Sequence, residues 1–179
     1  MANWYSDHFG ADGTDDSTIQ SPAGLVGAGI SHGRLRVKRA SITVTDNAAA
    51  DVCWMFTMKS SDRLYALYHA TDGGFSASSS SELGLYTYAA THDGAVLDVD
   101  LFGAAIDVTS AIDTLTDTFT AGALGGEDRG KQLWELYAVG AGSDTTDPFV
   151  QYDVCLTLDG NDDTTSSTYV LIALYTAGD

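Results

Sequence analysis

From residue 33 onward the sequence alternates apolar and polar side chains in short stretches, each broken by a phrase of Asp, Gly, Ser and Thr. A period of two puts the apolar side chains on one face of an extended chain, so the pattern calls for strands half buried against a common core. Residues 34–45 alternate and change phase between positions 39 and 41, which predicts a bulge. Residues 51–59 place Val52, Trp54, Phe56 and Met58 on one face, and residues 63–70 set Leu64, Ala66 and Tyr68 against Tyr65, Leu67 and His69. The phrase Ser60-Ser61-Asp62 between them predicts a hairpin. Residues 83–89 and 95–101 are strand-like, the second with Ala95, Leu97, Val99 and Leu101 inward and Asp98 and Asp100 outward. Three more strands are expected at 132–139, 149–158 and 168–176. Their inward faces include Tyr152, Val154, Leu156 and Leu158 in one and Val170, Ile172 and Leu174 in another, with a polar hairpin tip at 159–167. Residues 104–119 carry Val108, Ile112 and Leu115 at helical spacing, but Thr and Asp, both poor helix formers, dominate there; one short helix or turn is expected.

Some eight strands at a spacing of about 10–15 residues with little helix predict an all-β fold. The expected form is an antiparallel, jelly-roll-like β-sandwich over residues 33–179 with at most one short helix. Residues 1–32 differ: Gly-rich, with the phrase Asp12-Gly13-Thr14-Asp15-Asp16 and the aromatics Trp4, Tyr5 and Phe9, they hold no period and are expected to form an extended N-terminal arm. The chain of 179 residues carries 8 Lys+Arg against 25 Asp+Glu, a formal net charge of −17. A charge of this sign repels phosphate backbones, so no nucleic-acid partner is expected. No apolar run approaches the roughly 18 residues of a membrane span, and the first residues do not have the pattern of a secretory signal. Only Glu82, Glu127 and Glu135 are Glu; the remaining acids are Asp, which favours turns and caps. Turn chemistry accounts for that choice, and adaptation to a saline habitat competes with it.

Several phrases suggest chemistry, and each has a plainer reading. Gly29-Ile30-Ser31-His32-Gly33 matches the G-x-S-x-G elbow of serine hydrolases, but that elbow needs a strand before the Ser and a helix after it, and a Gly-rich hinge fits better. Gly125-Gly126-Glu127-Asp128-Arg129-Gly130-Lys131-Gln132 nearly spells a phosphate-binding loop, yet Gln132 stands where a magnesium-binding hydroxyl is needed, and Glu127 and Asp128 would repel phosphate. Cys53 and Cys155 form no zinc pattern; reduced thiols are expected on the face away from the bulky apolar residues, and a disulfide remains open if their strands are neighbours. His8, His32, His69 and His92 share no ligand spacing, and the Asp-rich turns lack the EF-hand order. No catalytic, cofactor or metal residue is therefore assigned.

The anomaly is the positive charge. Half of the eight basic residues lie at Arg34, Arg36, Lys38 and Arg39, and period-2 geometry puts Arg34, Arg36 and Lys38 on one strand face. Such a stripe either neutralises its own acidic neighbours or docks against carboxylates of a partner. Trp4, Tyr5 and Phe9 are of the type that anchors interfaces, and equally of the type that packs back onto its own sandwich.

The Gly/Ala/Ser/Thr/Asp-rich texture, the opening phrase Gly33-Arg34-Leu35-Arg36-Val37 and the closing strands, Tyr152 to Leu158 and Tyr169 to Tyr175, resemble the small β-rich head decoration, or cement, proteins of tailed bacteriophages. The resemblance spans residues 33–179 and carries over no functional residue. It implies a jelly-roll-like, non-enzymatic body made in the host cytoplasm and bound, often as a homo-oligomer, to the exterior of an icosahedral capsid. Its implied partners are the major capsid protein and copies of itself, with no membrane and no cofactor. The alternative is a carbohydrate-binding or receptor-adhesion module of a virion, in which Tyr65, Tyr86, Tyr88 or Trp134 would stack on sugars; an esterase working through Ser31 is a more distant third.

Overall fold

The computed structural model describes residues 35–44, 50–72, 80–89, 94–140, 145–159 and 166–178. The expected arm of residues 1–32, with Trp4, Tyr5 and Phe9, lies outside the described residues, and so does Arg34. Eight strands are described: β1 (Leu35–Val44), β2 (Val52–Lys59), β3 (Arg63–Thr71), β4 (Ser80–Thr87), β5 (Val96–Asp107), β6 (Ile112–Asp117), β7 (Gln151–Asp159) and β8 (Ser167–Thr176). One helix, α1 (Leu133–Gly140), follows a 3-10 turn at Gly126–Asp128. The strands form two antiparallel sheets in the orders β1-β8-β3-β6 and β2-β7-β4-β5. Only β4 and β5 are both consecutive and paired; every other connection passes from one sheet to the other. This winding is that of a jelly roll, the expected fold.

The crossings correct both predicted hairpins. β2 and β3 belong to opposite sheets, as do β7 and β8, so Ser60-Ser61-Asp62 carries the chain across the sandwich rather than folding one strand onto the next. Period-2 patterns identify strands but not their partners.

The two sheets bury a shared core that includes Leu64, Leu67, Tyr169 and Leu171 from one and Met58, Leu83, Leu85 and Leu156 from the other. The inward face of β8 is Tyr169, Leu171 and Ala173, opposite to the expected Val170, Ile172 and Leu174, which are half buried on the other side. β8 is an inner strand with apolar residues on both faces, and there periodicity does not choose a side. In β2 the buried residues are Cys53, Met55 and Met58, whereas Val52, Trp54 and Phe56 are half buried. A register shift between Trp54 and Phe56 moves the inward phase by one residue. β1 lacks the expected bulge and pairs with β8 without interruption from Leu35–Thr176 to Val44–Ser167; its phase change reflects the exposure of Val37.

Two further elements differ from expectation. The segment read as helix or turn within 104–119 is the end of β5 followed by β6, a short sheet-edge strand whose residues 113–116 are exposed. β-branched Thr suits a strand, and Asp at an exposed edge discourages further pairing. Conversely, 132–139 is not a strand but α1. Leu133 and Leu136, three apart, are fully buried on one face, and the Gln132 N–H donates to Glu135 Oε2 at 2.7 Å. The amides of Leu133 and Trp134, two of the donors a helix start leaves without intrahelical partners, bond instead to the carbonyls of Asp62 (2.9 Å) and Ser60 (3.1 Å).

The Ser60-Ser61-Asp62 turn is buried at 1%, 7% and 5% exposure. The Asp62 carboxylate accepts the Lys59 N–H at 2.9 Å on one oxygen and the Gly178 N–H at 3.0 Å on the other. Asp62→Ala strands both amides, and we expect a loss of about 2–3 kcal/mol in urea unfolding, with Asp62→Asn losing less. The core also holds a buried histidine: His69 is 3% exposed, its ring lies 5.7 Å from that of Tyr169, and Nδ1 has no partner among the described residues. Burial disfavours the imidazolium and lowers the His69 pKa below its ordinary value. Protonation therefore favours the unfolded chain: stability is full above the ordinary histidine pKa of about 6.5 and falls as pH drops below it. Thermal melts between pH 7.5 and 5.5 should show this fall in the native chain and a flatter profile in His69→Phe.

Candidate functional site

β1 and β2 are edge strands, and their edges meet. The Lys38 ammonium donates to the Thr57 carbonyl and lies 6.0 Å from the centre of the Phe56 ring, tying one sheet to the other. Thr57 in turn donates from Oγ1 to Asp153 Oδ1 at 2.5 Å, which fixes the β2 side of the contact to β7. Where the edges meet, at the end of the sandwich, they leave a crease of about 340 Å³. Arg36 and Lys38 from β1 line it together with Thr57, Met58 and Lys59 from β2 and Asp62 from the buried turn. Tyr88, Gln151, Tyr175 and Ala177 complete its walls.

The charge of the crease follows from what its neighbours already hold. Asp62 brings one negative charge to the crease, and both its oxygens accept backbone amides rather than a cationic side chain. Elsewhere, Arg129 pairs with Asp117 at 2.6 Å and stacks 4.9 Å from Phe119, Lys131 pairs with Asp128 at 2.7 Å, and Arg63 donates to the Gly130 carbonyl at 3.0 Å. Those three cations serve the fold. Arg36, Lys38 and Lys59 have no carboxylate partner among the described residues, and Arg36 and Lys59 face solvent. Such a site can accept carboxylates: Arg36 and Lys59 are exposed cationic donors without a carboxylate partner among the described residues, beside the phenol of Tyr88, which is 47% exposed.

Of the residues singled out in the sequence, Arg36 and Lys38 line the crease, and Arg39 is exposed on the opposite face of β1. Sequence reasoning does not find Lys59 and Gln151, and it singles out Tyr88 only as a sugar-stacking aromatic. The three meet through strand pairing within one sheet, Lys59 opposite Gln151 in the β2–β7 ladder and Tyr88 just past the end of β4, which also pairs with β7. The candidate sugar-stacking aromatics do not share a groove. Tyr86 is buried and hydrogen-bonded to Thr157 at 2.7 Å, Tyr65 packs beside Gly130, and the Trp134 indole donates to Gln132 at 2.8 Å. Only Tyr88 of the four is exposed.

The loop resembling a phosphate cradle is occupied by its own side chains. Asp128 accepts the Gly125 N–H and the Lys131 ammonium, each at 2.7 Å, and these bonds hold its carboxyl below the usual range and Lys131 above its own. Cys53 and Cys155 are free and buried, and β2 pairs them with Leu156 and Trp54 in turn, so they project from opposite faces of the sheet. Burial pushes the Cys53 thiol up to about 11 and raises Cys155 further, which leaves both unreactive at neutral pH. Cys53 lies in the core, contrary to the expected outer face, because its strand places Cys53 and Met55 inward. His8, His32, His92 and the Ser31 elbow lie outside the described residues.

No protein-family profile and no curated protein sequence matches the chain. Its fold is similar to a chain in the cyanophage Pam1 capsid asymmetric unit, at 15% identity and a TM-score of 0.47, covering 86% of this chain and 92% of that one. It is also similar to a chain of the capsid of Ralstonia phage GP4, at 13% identity and a TM-score of 0.45, covering 81% and 85%. A third similar structure is the infectious bursal disease virus VP2 subviral particle, at 10% identity and a TM-score of 0.39, where 81% of this chain matches 33% of the other.

Proposed function

We propose that the chain is a non-enzymatic structural component of a virion, seated on the outer surface of an icosahedral capsid, where it stabilises contacts between major-capsid subunits. One observation carries the reading: Arg36 and Lys59, exposed and without a carboxylate partner among the described residues, converge with Lys38 on one crease, against the single carboxylate of Asp62, in a chain whose net charge is −17. Charge concentrated in this way sets the orientation and register of docking, while the acidic remainder keeps a particle displaying many copies soluble. The sequence resemblance to decoration proteins points the same way, and the reading rests on it and on the crease rather than on likeness of fold. In this reading residues 1–32, through Trp4, Tyr5 and Phe9, extend the contact across a subunit boundary, Arg34 and Arg39 add charge to it, and copies of the chain associate on the shell.

Co-sedimentation with empty shells of the virion, assembled without this chain, tests it. Binding should be saturable, weaker in high salt because exposed charges are screened, and at least tenfold weaker in Arg36→Glu/Lys59→Glu. That double variant should melt within a few degrees of the native chain, since both side chains face solvent. Native protein that remains in the supernatant at every salt concentration contradicts the reading.

A further inference from the structure

Next to the crease the chain holds an aromatic side chain out into water. Phe149, just before β7, is 85% exposed, and the adjacent Val150 is 42% exposed. The backbone of Phe149 has φ +54°, the left-handed region that a residue with a Cβ avoids. Nothing gained by the Phe side chain within its own fold explains that conformation, because it buries so little of itself.

The conformation is imposed from beneath. Asp147 Oδ1 accepts the Phe149 N–H at 2.8 Å and the Ser60 hydroxyl at 2.6 Å. Ser60 Oγ accepts the Val150 N–H at 3.1 Å, and the Ser60 N–H donates to the Val150 carbonyl at 2.8 Å. Ser60 is 1% exposed, so this clamp is anchored in the protein interior, and Pro148 stiffens the backbone between its two ends. A strained residue fixed by its surroundings, with an apolar ring that its own fold leaves in solvent, is the arrangement expected where the ring does its work against something else. The hollow beside Phe149 shares Lys59 and Gln151 with the crease, so the ring and the crease cations form one continuous surface.

We propose that Phe149 is the apolar anchor of this docking surface, and that its occupant is a protein face presenting an apolar pocket rimmed by carboxylates, which would meet Lys59 and Arg36. The inference rests on the proposed capsid-binding role and specifies the chemistry of the partner: charge complementarity selects an acidic rim, and the exposed ring selects the pocket within it.

The test titrates native chain, Phe149→Gly and Phe149→Leu against the same empty shells, with thermal melts of each and sedimentation velocity of the chain alone. Glycine accepts a positive φ, so Phe149→Gly should melt at or above the native temperature while its affinity for shells falls at least tenfold with the salt dependence retained. Phe149→Leu should recover part of that affinity. Phe149→Gly that binds like a salt-sensitive native chain overturns this inference and leaves the capsid-binding role standing, whereas native chain that does not bind shells overturns both. A Phe149→Gly variant that loses melting temperature in step with binding makes the ring structural and overturns the inference. So does one that abolishes self-association in sedimentation velocity with shell binding intact, since the occupant is then a second copy.

Discussion

The buried turn at Ser60-Ser61-Asp62 is the constraint on which the rest of the molecule depends. It takes the chain from β2 in one sheet to β3 in the other, a crossing that exposes several backbone groups at a place closed to water. Asp62 satisfies amides at Lys59 and Gly178, while the carbonyls of Ser60 and Asp62 receive the first amides of α1. The crossing, the C-terminal residues and the helix start thus answer one another's hydrogen-bonding needs. Ser60 also fixes Asp147 and Val150, and with them the position of Phe149. One polar turn inside the sandwich therefore sets both the topology and the shape of the surface above it.

That surface gains its charge by subtraction. A jelly roll brings the edges of its two sheets together, and unpaired edges invite association with another chain. Here the edge strands β1 and β2 are tied to each other by Lys38, and the flanking Arg36 and Lys59 have no carboxylate partner among the described residues. The opposite edge strand of the β1 sheet, β6, is short and mixes Asp and Thr with Ile112 and the exposed Leu115. The crease edge thus differs from the β6 edge, where Asp117 is paired with Arg129.

Much of this is legible in the sequence, and what is missing has a physical reason. Seven of the strands follow from alternation, and their number and spacing lead to the all-β, jelly-roll-like sandwich. Pairing does not follow, because alternation describes a strand's relation to the core and says nothing of its neighbours; hence both mistaken hairpins. The inward face of β8 is hidden because Tyr169, Leu171 and Ala173 alternate with the equally apolar Val170, Ile172 and Leu174. α1 is hidden by the strand propensity of Trp134, Tyr137 and Val139, although the Leu133–Leu136 spacing and Glu135 three residues after Gln132 are its signals. At the site, the cluster of cations in β1 leads to Arg36 and Lys38. Lys59 and Phe149 escape notice because only the fold brings them together, and only the backbone angle marks Phe149 as held in place.

The central claim is that the crease and Phe149 together face a capsid. An electron cryo-microscopy map of shells saturated with this chain tests it most directly. The account predicts that Arg36, Lys59 and Phe149 lie at the contact, with the ring in an apolar pocket bordered by carboxylates and β6 directed outward. A map in which the crease faces solvent and the β6 edge meets the shell would contradict it.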